Sequence, residues 1–215
     1  MRPRLTVLVL ALTAIDALAE DPPTLERNDV SMNGAPTLGQ WKRGASVTLG
    51  FPLITARASI GLADRLDVGL GFQTFFGLMN EFLVHVKVAL YRGTSWSLAA
   101  AVEGSGAFFV QSAADEQRGA RWLTGRRNYG VSPSLILTWQ GESARSARLF
   151  AQVSYLLTFE VPMAALGHNV STHLGAELPL SPKVSFVFMF GLGVHGRAED
   201  SPVMPDASLG LAFGF

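Results

Sequence analysis

The sequence lacks cysteine and has few charged residues. With no Cys among its 215 residues, the chain can form no disulfide, thiolate metal site or cysteine nucleophile. Charged residues make up 16%, against about 25% in a typical globular protein. The 17 basic residues balance the 17 acidic ones, so no positive excess favours binding to nucleic acid.

Long apolar runs are also absent, although 48% of the residues are hydrophobic and 22 are glycine. The most apolar stretch, residues 184–194, is shorter than the roughly 20 residues that a membrane-spanning helix needs. Its length matches a tilted transmembrane strand of about 9–11 residues. This composition therefore has to be explained without a membrane helix.

The N-terminal residues have the three regions of a secretory signal peptide. A basic start is followed by the apolar residues 5–12 and by Ala17-Leu18-Ala19, which has small residues at both positions of a cleavage site. We therefore predict a signal peptide over residues 1–19. Residues 20–43 are polar, with several Pro and Gly, and are predicted to form an exposed tether with little structure.

From residue 44 onward the chain alternates repeatedly between apolar and polar residues. The clearest case is residues 81–91, where Val84, Val86 and Val88 alternate with His85 and Lys87. Period two is the pattern of a β-strand. We count ten such segments, or eight if residues 45–62 do not form two strands. The connections alternate between short turns and longer polar loops.

The polar face of these segments is rich in Gly, Ala and Ser, which would pack into a poor core. An apolar face toward lipid and a polar face toward a lumen explain the pattern better. An open sheet edge in hydrocarbon would leave backbone groups unpaired, so the sheet must close. We therefore predict an all-β fold, a transmembrane antiparallel up-and-down β-barrel of about ten strands over residues 44–215.

The last nine residues carry a more specific pattern. Apolar residues occupy every second position and the chain ends on phenylalanine, through Leu209, Leu211, Phe213 and Phe215. This segment resembles the C-terminal strand of small Gram-negative outer-membrane β-barrel proteins. The resemblance implies an outer-membrane location, a periplasmic tether, and recognition of this strand by the barrel assembly machinery. It also implies contact with outer-membrane lipid and lipopolysaccharide, and we expect a monomer.

The predicted lumen holds polar and charged side chains that are candidates for a conduit or a binding site. These candidates are Arg57, His85, Lys87, Glu103, Glu160, His173, Glu177 and His195. The leading hypothesis is a narrow porin-like passive conduit for small solutes. The alternative is a structural or surface-interaction barrel that acts through its outer loops, with the lumen filled by ion pairs. In that case Lys87 and Arg57 would pair with Glu103, Glu160 and Glu177.

A lipid-modifying hydrolase is a third and more distant hypothesis. Ser171 and His173 are two residues apart and share a strand face, as Ser/His chemistry requires. That face is predicted to be the lumen rather than the lipid side, so we predict no catalytic residue, and no cofactor or metal site either. The loop at residues 111–127 holds four Arg and Trp122. It is either a lipopolysaccharide contact or a solvated loop.

Overall fold

A computed structural model describes residue 28 and residues 30–51, 53–77, 79–109, 129–143, 146–160, 165–196 and 203–215. Within these residues the chain forms ten β-strands. They are β1 (Arg43–Phe51), β2 (Ile54–Ala63), β3 (Leu66–Phe75), β4 (Met79–Arg92), β5 (Trp96–Phe109), β6 (Tyr129–Gln140), β7 (Arg148–Glu160), β8 (Ala165–Ser181), β9 (Val184–Gly196) and β10 (Val203–Gly214).

Each strand pairs antiparallel with its neighbours in sequence, and β1 pairs with β10 to close the sheet into a barrel. The predicted antiparallel barrel is confirmed, with ten strands rather than eight. Residues 45–62 form the two separate strands β1 and β2 because the chain reverses between Phe51 and Ile54. In the part of the chain that the structure describes, no helix has the length and apolarity needed to cross a bilayer.

The barrel has two different ends. At one end the strands are joined by the connections at residues 64–65, 93–95, 141–147 and 182–183, and we call it the short-turn end. The start of β1 and the end of β10 lie there too. The opposite end carries the connections at residues 52–53, 76–78, 110–128, 161–164 and 197–202, and we call it the loop end. The β8–β9 turn is restricted to residues 182–183, because β8 continues to Ser181 through a bulge.

Apolar side chains alternate with inward-facing ones along the strands, and the apolar set faces outward. On β4, Val84 is 57% exposed, whereas Lys87, three positions later, is buried. Aromatic residues on the outer face stand near both ends. Trp96 is exposed near the short-turn end, and Phe51 and Phe76 are exposed near the loop end. The barrel is therefore apolar outside and polar inside.

The interior is not a hydrophobic core. The described residues form two small apolar clusters, one of Val30 with Val187 and Ala212, the other of Ala35 with Ala99 and Ile136. The largest fully buried side chain is that of Arg148. Glu177, Glu81 and Asp67 are also fully buried. Buried charges are costly unless they are paired or hydrogen-bonded, so their partners determine what this interior does.

Candidate functional site: a plugged lumen and its polar cavity

The chain preceding β1 lies inside the short-turn end of its own barrel. We call Asn28 and residues 30–38 the N-terminal plug. Asn28, Val30, Ser31, Ala35 and Leu38 are all buried. The prediction of an exposed tether over residues 20–43 is therefore wrong for this part, while residues 20–27 lie outside the described residues. The physical reason is that charged side chains of four strands, β3, β4, β7 and β8, bind or support the plug.

Asn28 fixes the beginning of the plug to the turn between β8 and β9. Its Nδ2 donates to the carbonyl oxygens of Ser181 and Val184 at 2.6 and 3.1 Å, and to Ser185 Oγ at 3.1 Å. Its Oδ1 accepts from the Val30 amide at 2.8 Å. A single side chain thus ties the plug to the barrel wall and also orders the next turn of the plug.

Glu177 on β8 holds the centre of the plug. Its Oε1 accepts the backbone N–H groups of Met32 and Asn33 at 3.0 and 2.8 Å. The guanidinium of Arg148 on β7 donates to the carbonyl oxygen of Val30, and lies 3.8 Å from Glu177 Oε2. The Glu177 carboxylate thus satisfies two amides of the plug, and the Arg148 guanidinium satisfies a carbonyl oxygen of the same segment.

Lys87 on β4 binds the plug from the opposite side. Its Nζ donates to the carbonyl oxygens of Ser31, Gly34 and Pro36 at 3.2, 3.1 and 2.8 Å. The same ammonium lies 3.5 Å from Asp67 Oδ2. Both carboxylate oxygens of Asp67 accept the Leu38 amide, at 3.1 Å each. The ammonium group has three protons and three carbonyl partners, so its donor capacity is filled by the plug.

The plug leaves the barrel through a tight turn. Before this turn, the Ala35 amide of the plug donates to Thr138 Oγ1 on β6 at 2.7 Å. After Leu38, Gly39 adopts a φ of 87° and Trp41 a φ of 62°. The Trp41 amide donates to the Gly61 carbonyl at 2.7 Å. A Cβ built on Gly61 would lie 1.9 Å from the Gly39 carbonyl oxygen, so this crossing requires glycine.

These contacts change the hypothesis of a lumen filled by ion pairs between strands. Arg57 does pair with Glu103, with Nη2 to Oε2 at 2.7 Å. Lys87 and Glu177, however, bind the plug rather than each other. Breaking a buried charged contact by removing one partner costs about 3–5 kcal/mol, because the other partner stays buried and unpaired. The obstruction is a chain segment, which charged wall residues hold in place.

Beyond the plug the lumen is a cavity of about 320 Å³. Its lining runs from Ser31, Met32 and Asn33 of the plug to Phe51 and Pro205 near the loop end. The wall between them is rich in hydroxyl groups. The hydroxyl residues of the wall are Ser46, Thr48, Thr55, Ser59, Ser105, Ser132, Ser134, Ser154, Thr158, Ser171 and Ser208.

The structure places six of the eight predicted lumen residues in the interior. Arg57, His85, Lys87, Glu103 and His173 line the cavity, and Glu177 is buried against the plug. The strand positions of Glu160 and His195 are on β7 and β9, but their side chains lie outside the described residues. Nothing in the described contacts gathers these candidates into one centre. They separate into a plug-binding group and a cavity-lining group.

Two histidines of the cavity have polar partners. His173 Nε2 lies 2.9 Å from Asp206 Oδ2, and His85 Nε2 lies 2.9 Å from Ser59 Oγ. Among the described residues, no group of three or more His, Asp or Glu is placed to hold a metal ion. Asp206 is not among the lumen residues predicted from the sequence. Extension of β10 back to Val203 brings Asp206 into the wall.

The residues considered for lipid hydrolysis do not meet at a lipid-facing site. Ser171 and His173 both line the interior cavity. His168 is exposed and its Nδ1 lies 2.5 Å from the Tyr155 hydroxyl. The loop at residues 111–127, considered for lipopolysaccharide contact, lies outside the described residues. Of the C-terminal signature, Leu209, Leu211 and Phe215 are exposed and Phe213 is half-buried.

No protein-family model matches the sequence. No curated protein sequence matches it either. Several solved structures share the barrel shape at low identity. A bacterial polysaccharide outer-membrane secretin has 8% identity and a TM-score of 0.47, and the match covers 78% of this chain. This chain spans only 57% of that secretin.

Two porins are similar to a comparable extent. The NanC porin has 9% identity and a TM-score of 0.47, over 80% of this chain and 98% of the porin. The KdgM porin, solved with disordered oligogalacturonate, has 8% identity and a TM-score of 0.45, over 81% of this chain and 99% of the porin. Likenesses of this extent transfer no substrate or activity to this chain.

Proposed function

We propose that this chain is an integral outer-membrane β-barrel whose lumen is closed, in its resting state, by its own N-terminal plug. The observation that carries the proposal is the binding of the plug backbone by buried wall charges. The Lys87 ammonium donates hydrogen bonds to three plug carbonyls, and the Glu177 carboxylate accepts hydrogen bonds from two plug amides. Such contacts describe a seated plug rather than a loose tail. The proposal therefore favours the plugged barrel over the permanently open conduit.

The membrane location is supported by the outer surface. Exposed apolar side chains cover the strands, and Trp96 and Phe108 on β5 stand outward twelve residues apart. Twelve steps of about 3.4 Å on a strand tilted by about 40° correspond to about 31 Å along the barrel axis. Bilayer hydrocarbon is about 30 Å thick. Burying this surface in lipid accounts for an exposed apolar area that a water-soluble protein would rarely carry.

The predicted export signal and the C-terminal strand pattern favour an outer membrane as the location of the barrel. The predicted signal peptide provides export, and the C-terminal pattern ending at Phe215 is suited to the barrel assembly machinery. Barrels of this kind have short turns on the periplasmic side, so the plug would close the periplasmic mouth. We propose outer-membrane lipid and lipopolysaccharide as the surroundings, a monomeric state, and no catalytic role.

A gated conduit for small solutes is the second candidate. The cavity reaches from the plug to the rim at Phe51 and Pro205, and plug residues form its floor. Displacement of the plug would join this cavity to the short-turn mouth. The leading sequence hypothesis of a conduit then applies to the released state and not to the resting one.

Planar-bilayer recording separates these states. The mature chain should give no steady single-channel steps, because the plug blocks the short-turn end. A variant in which residues 28–38 are replaced by a Gly/Ser linker should give steps if the barrel is a gated conduit. Steady conductance of the unmodified chain would contradict the closed resting state. A silent linker variant that still shows heat-modifiable gel migration would contradict the conduit and leave the structural barrel.

Cell fractionation tests the location independently. The folded chain should appear in the outer-membrane fraction and should migrate differently with and without boiling. Recovery as a soluble periplasmic protein would overturn the membrane proposal, whatever the conductance experiment gives.

A further inference from the structure

One sector of the cavity wall has polar atoms that find no hydrogen-bond partner among the described residues. It is formed by Asn169, Ser171 and His173 on β8, Gly191 and Gly193 on β9, and Asp206 and Ser208 on β10. We call it the β8–β10 cleft. The buried atoms without a partner among the described residues are Asn169 Oδ1, His173 Nδ1, Asp206 Oδ1 and Ser208 Oγ.

Two glycines on β9 create the space in this cleft. A Cβ on Gly191 would come within 2.3 Å of His173 Cδ2 and 2.6 Å of Asp206 Oδ1. His173 and Asp206 therefore meet directly across the glycine, at 2.9 Å. A Cβ on Gly193 would lie 3.2 Å from Asn169 Oδ1. Any side chain at Gly193 would occupy the space in front of the amide.

The remaining hydrogen-bonding capacity is both donating and accepting. Asn169 Oδ1 and Asp206 Oδ1 can only accept, whereas the hydroxyl of Ser208 can donate and accept. A hydroxyl group on a ligand likewise serves as donor and acceptor. These atoms have almost no exposed surface, so their side chains have to turn toward the cavity before the hydroxyls of a ligand can satisfy them. Leaving buried polar groups unpaired is costly, which favours occupation of the cleft by a molecule rich in hydroxyl groups.

The charges of the cavity argue against an anionic ligand. Each lining cation has a carboxylate beside it, since Arg57 pairs with Glu103 and Lys87 pairs with Asp67. Asp206 has one oxygen held by His173. No cation of the described lining is left to attract a carboxylate or phosphate.

The size of the cavity limits the ligand to a small molecule. Its volume of about 320 Å³ is at the lower end of the range for ligand pockets, about 300–1,000 Å³. The N-terminal plug occupies the short-turn end, and the described lining extends to Phe51 and Pro205 near the loop end. A single sugar ring suits this space, and a longer chain of rings would have to project past the rim.

We propose that the β8–β10 cleft binds an uncharged, polyhydroxylated molecule of monosaccharide size. The inference rests on the cleft and its cavity and is independent of the membrane location. Contacts come from Asn169, Asp206 and Ser208, and the His173 ring holds Asp206 in place. The plugged barrel can then bind this ligand in the cleft without an open path for solutes through the lumen.

Ligand-observed NMR titration of the folded chain in detergent tests the proposal. Glucose, glucosamine and gluconate serve as the neutral, cationic and anionic probes. Glucose should bind with a dissociation constant on the order of a millimolar, and gluconate should bind at least about tenfold more weakly. Asn169→Ala should weaken glucose binding about tenfold, because one acceptor is lost.

Gly193→Val should abolish glucose binding by filling the cleft. Gly104→Val is the matched control, since a Cβ on Gly104 meets nothing within 4 Å and this β5 position faces outward. Gel migration without boiling verifies folding of each variant, and Asn169→Ala alone decides the test if Gly193→Val does not fold. The proposal is overturned if glucose does not bind at a concentration 100 times the expected dissociation constant, roughly 100 mM. Tighter binding of gluconate or glucosamine overturns the ligand class.

Discussion

The Nζ of Lys87 lies 2.8 Å from the carbonyl oxygen of Pro36, which is fifty-one residues earlier in the chain. Pro36 has no amide hydrogen, so its carbonyl is the hydrogen-bonding group that its backbone offers. The same ammonium binds two further plug carbonyls and lies beside Asp67. One side chain on β4 thus connects the plug to the wall at several points, and its removal is the most direct test of the plug.

Lys87→Met should therefore destabilise the seated plug. The substitution keeps an unbranched chain but leaves three plug carbonyls and the Asp67 carboxylate without the ammonium. Breaking a buried charged contact in this way costs about 3–5 kcal/mol. The free energy of unfolding, measured by urea titration in detergent, should fall by that amount. Planar-bilayer recordings of the variant should show openings that the unmodified chain lacks.

Lys183→Met is the matched control, because Lys183 is exposed in the β8–β9 turn. Its effect on unfolding should stay within about 0.5 kcal/mol. The double variant Lys87→Met with Asp67→Asn should lose less than the sum of the two single changes, since the two side chains share one contact. Equal losses for Lys87→Met and Lys183→Met would show that the plug contacts contribute no stability.

The absence of cysteine allows the plug position to be followed with a single reporter. Ser31 is fully buried, and Ser31→Cys changes one atom of its side chain. We expect its thiol to react with a water-soluble maleimide about a hundredfold more slowly than an exposed thiol, because reaction requires local opening of the plug. Thr94→Cys, in the exposed β4–β5 turn, supplies the exposed reference.

Adding Lys87→Met to the Ser31→Cys reporter should accelerate labelling, while the Thr94→Cys rate stays constant. Equal rates for the two thiols in the otherwise unmodified chain would contradict a seated plug. This measurement is independent of conductance, so it separates a released plug from a lumen that is blocked in another way.

The strands could be predicted from sequence and the plug could not, for a physical reason. Period-two alternation at Val84, Val86 and Val88 reports which face of a strand meets which surroundings. Residues 28–38 have no such period, because their stability comes from backbone contacts to side chains far along the chain. The Met32 amide and Glu177 are 145 residues apart. No local pattern records that contact.

A signal for the plug was nevertheless present in the strands. Asp67 and Arg148 lie at the short-turn ends of β3 and β7 and point inward. Buried charges need partners, and each of these two has an opposite charge across from it on the next strand, Lys87 or Glu177. The plug backbone takes up the hydrogen-bonding capacity that these pairs leave over. For the cavity, the residues could be predicted from the sequence but their contacts could not. Its inward residues were predicted, but the contact of His173 with Asp206 depends on β10 beginning at Val203, before the apolar pattern of the last nine residues starts.

The crossing of the plug turn over β2 gives a steric prediction. The Gly61→Ala change would place a Cβ 1.9 Å from the Gly39 carbonyl oxygen. The backbone around Gly39 must then shift, which breaks the hydrogen bond from the Trp41 amide to the Gly61 carbonyl. We expect a loss of about 1–3 kcal/mol in unfolding free energy, together with faster labelling of the Ser31→Cys reporter.

Gly104→Ala is the control for Gly61→Ala, because its Cβ would meet open space. Both substitutions raise β-strand preference equally, so the difference between them isolates the contact with Gly39. If the two variants unfold alike, the close approach of the plug turn to β2 is disproved.

Two neighbouring residues on β6 test which surface meets lipid. Leu135 is exposed on the outer face, and Ser134 lines the cavity. An arginine facing lipid near the bilayer midplane costs about 2–4 kcal/mol. We therefore expect Leu135→Arg to lower the free energy of unfolding from lipid vesicles by that amount. In detergent micelles, which deform around a charge more readily, the loss should be smaller.

Ser134→Arg places the same charge one residue away on the polar face. It should cost less than Leu135→Arg in vesicles, since the guanidinium there can bind the hydroxyl and carboxylate groups of the cavity and remain hydrated. It should also reduce the free volume of the cavity beside the cleft. The reverse order of the two costs would require the apolar face to lie away from lipid. That result would contradict the proposed membrane orientation of every strand, because adjacent positions on a strand point to opposite faces.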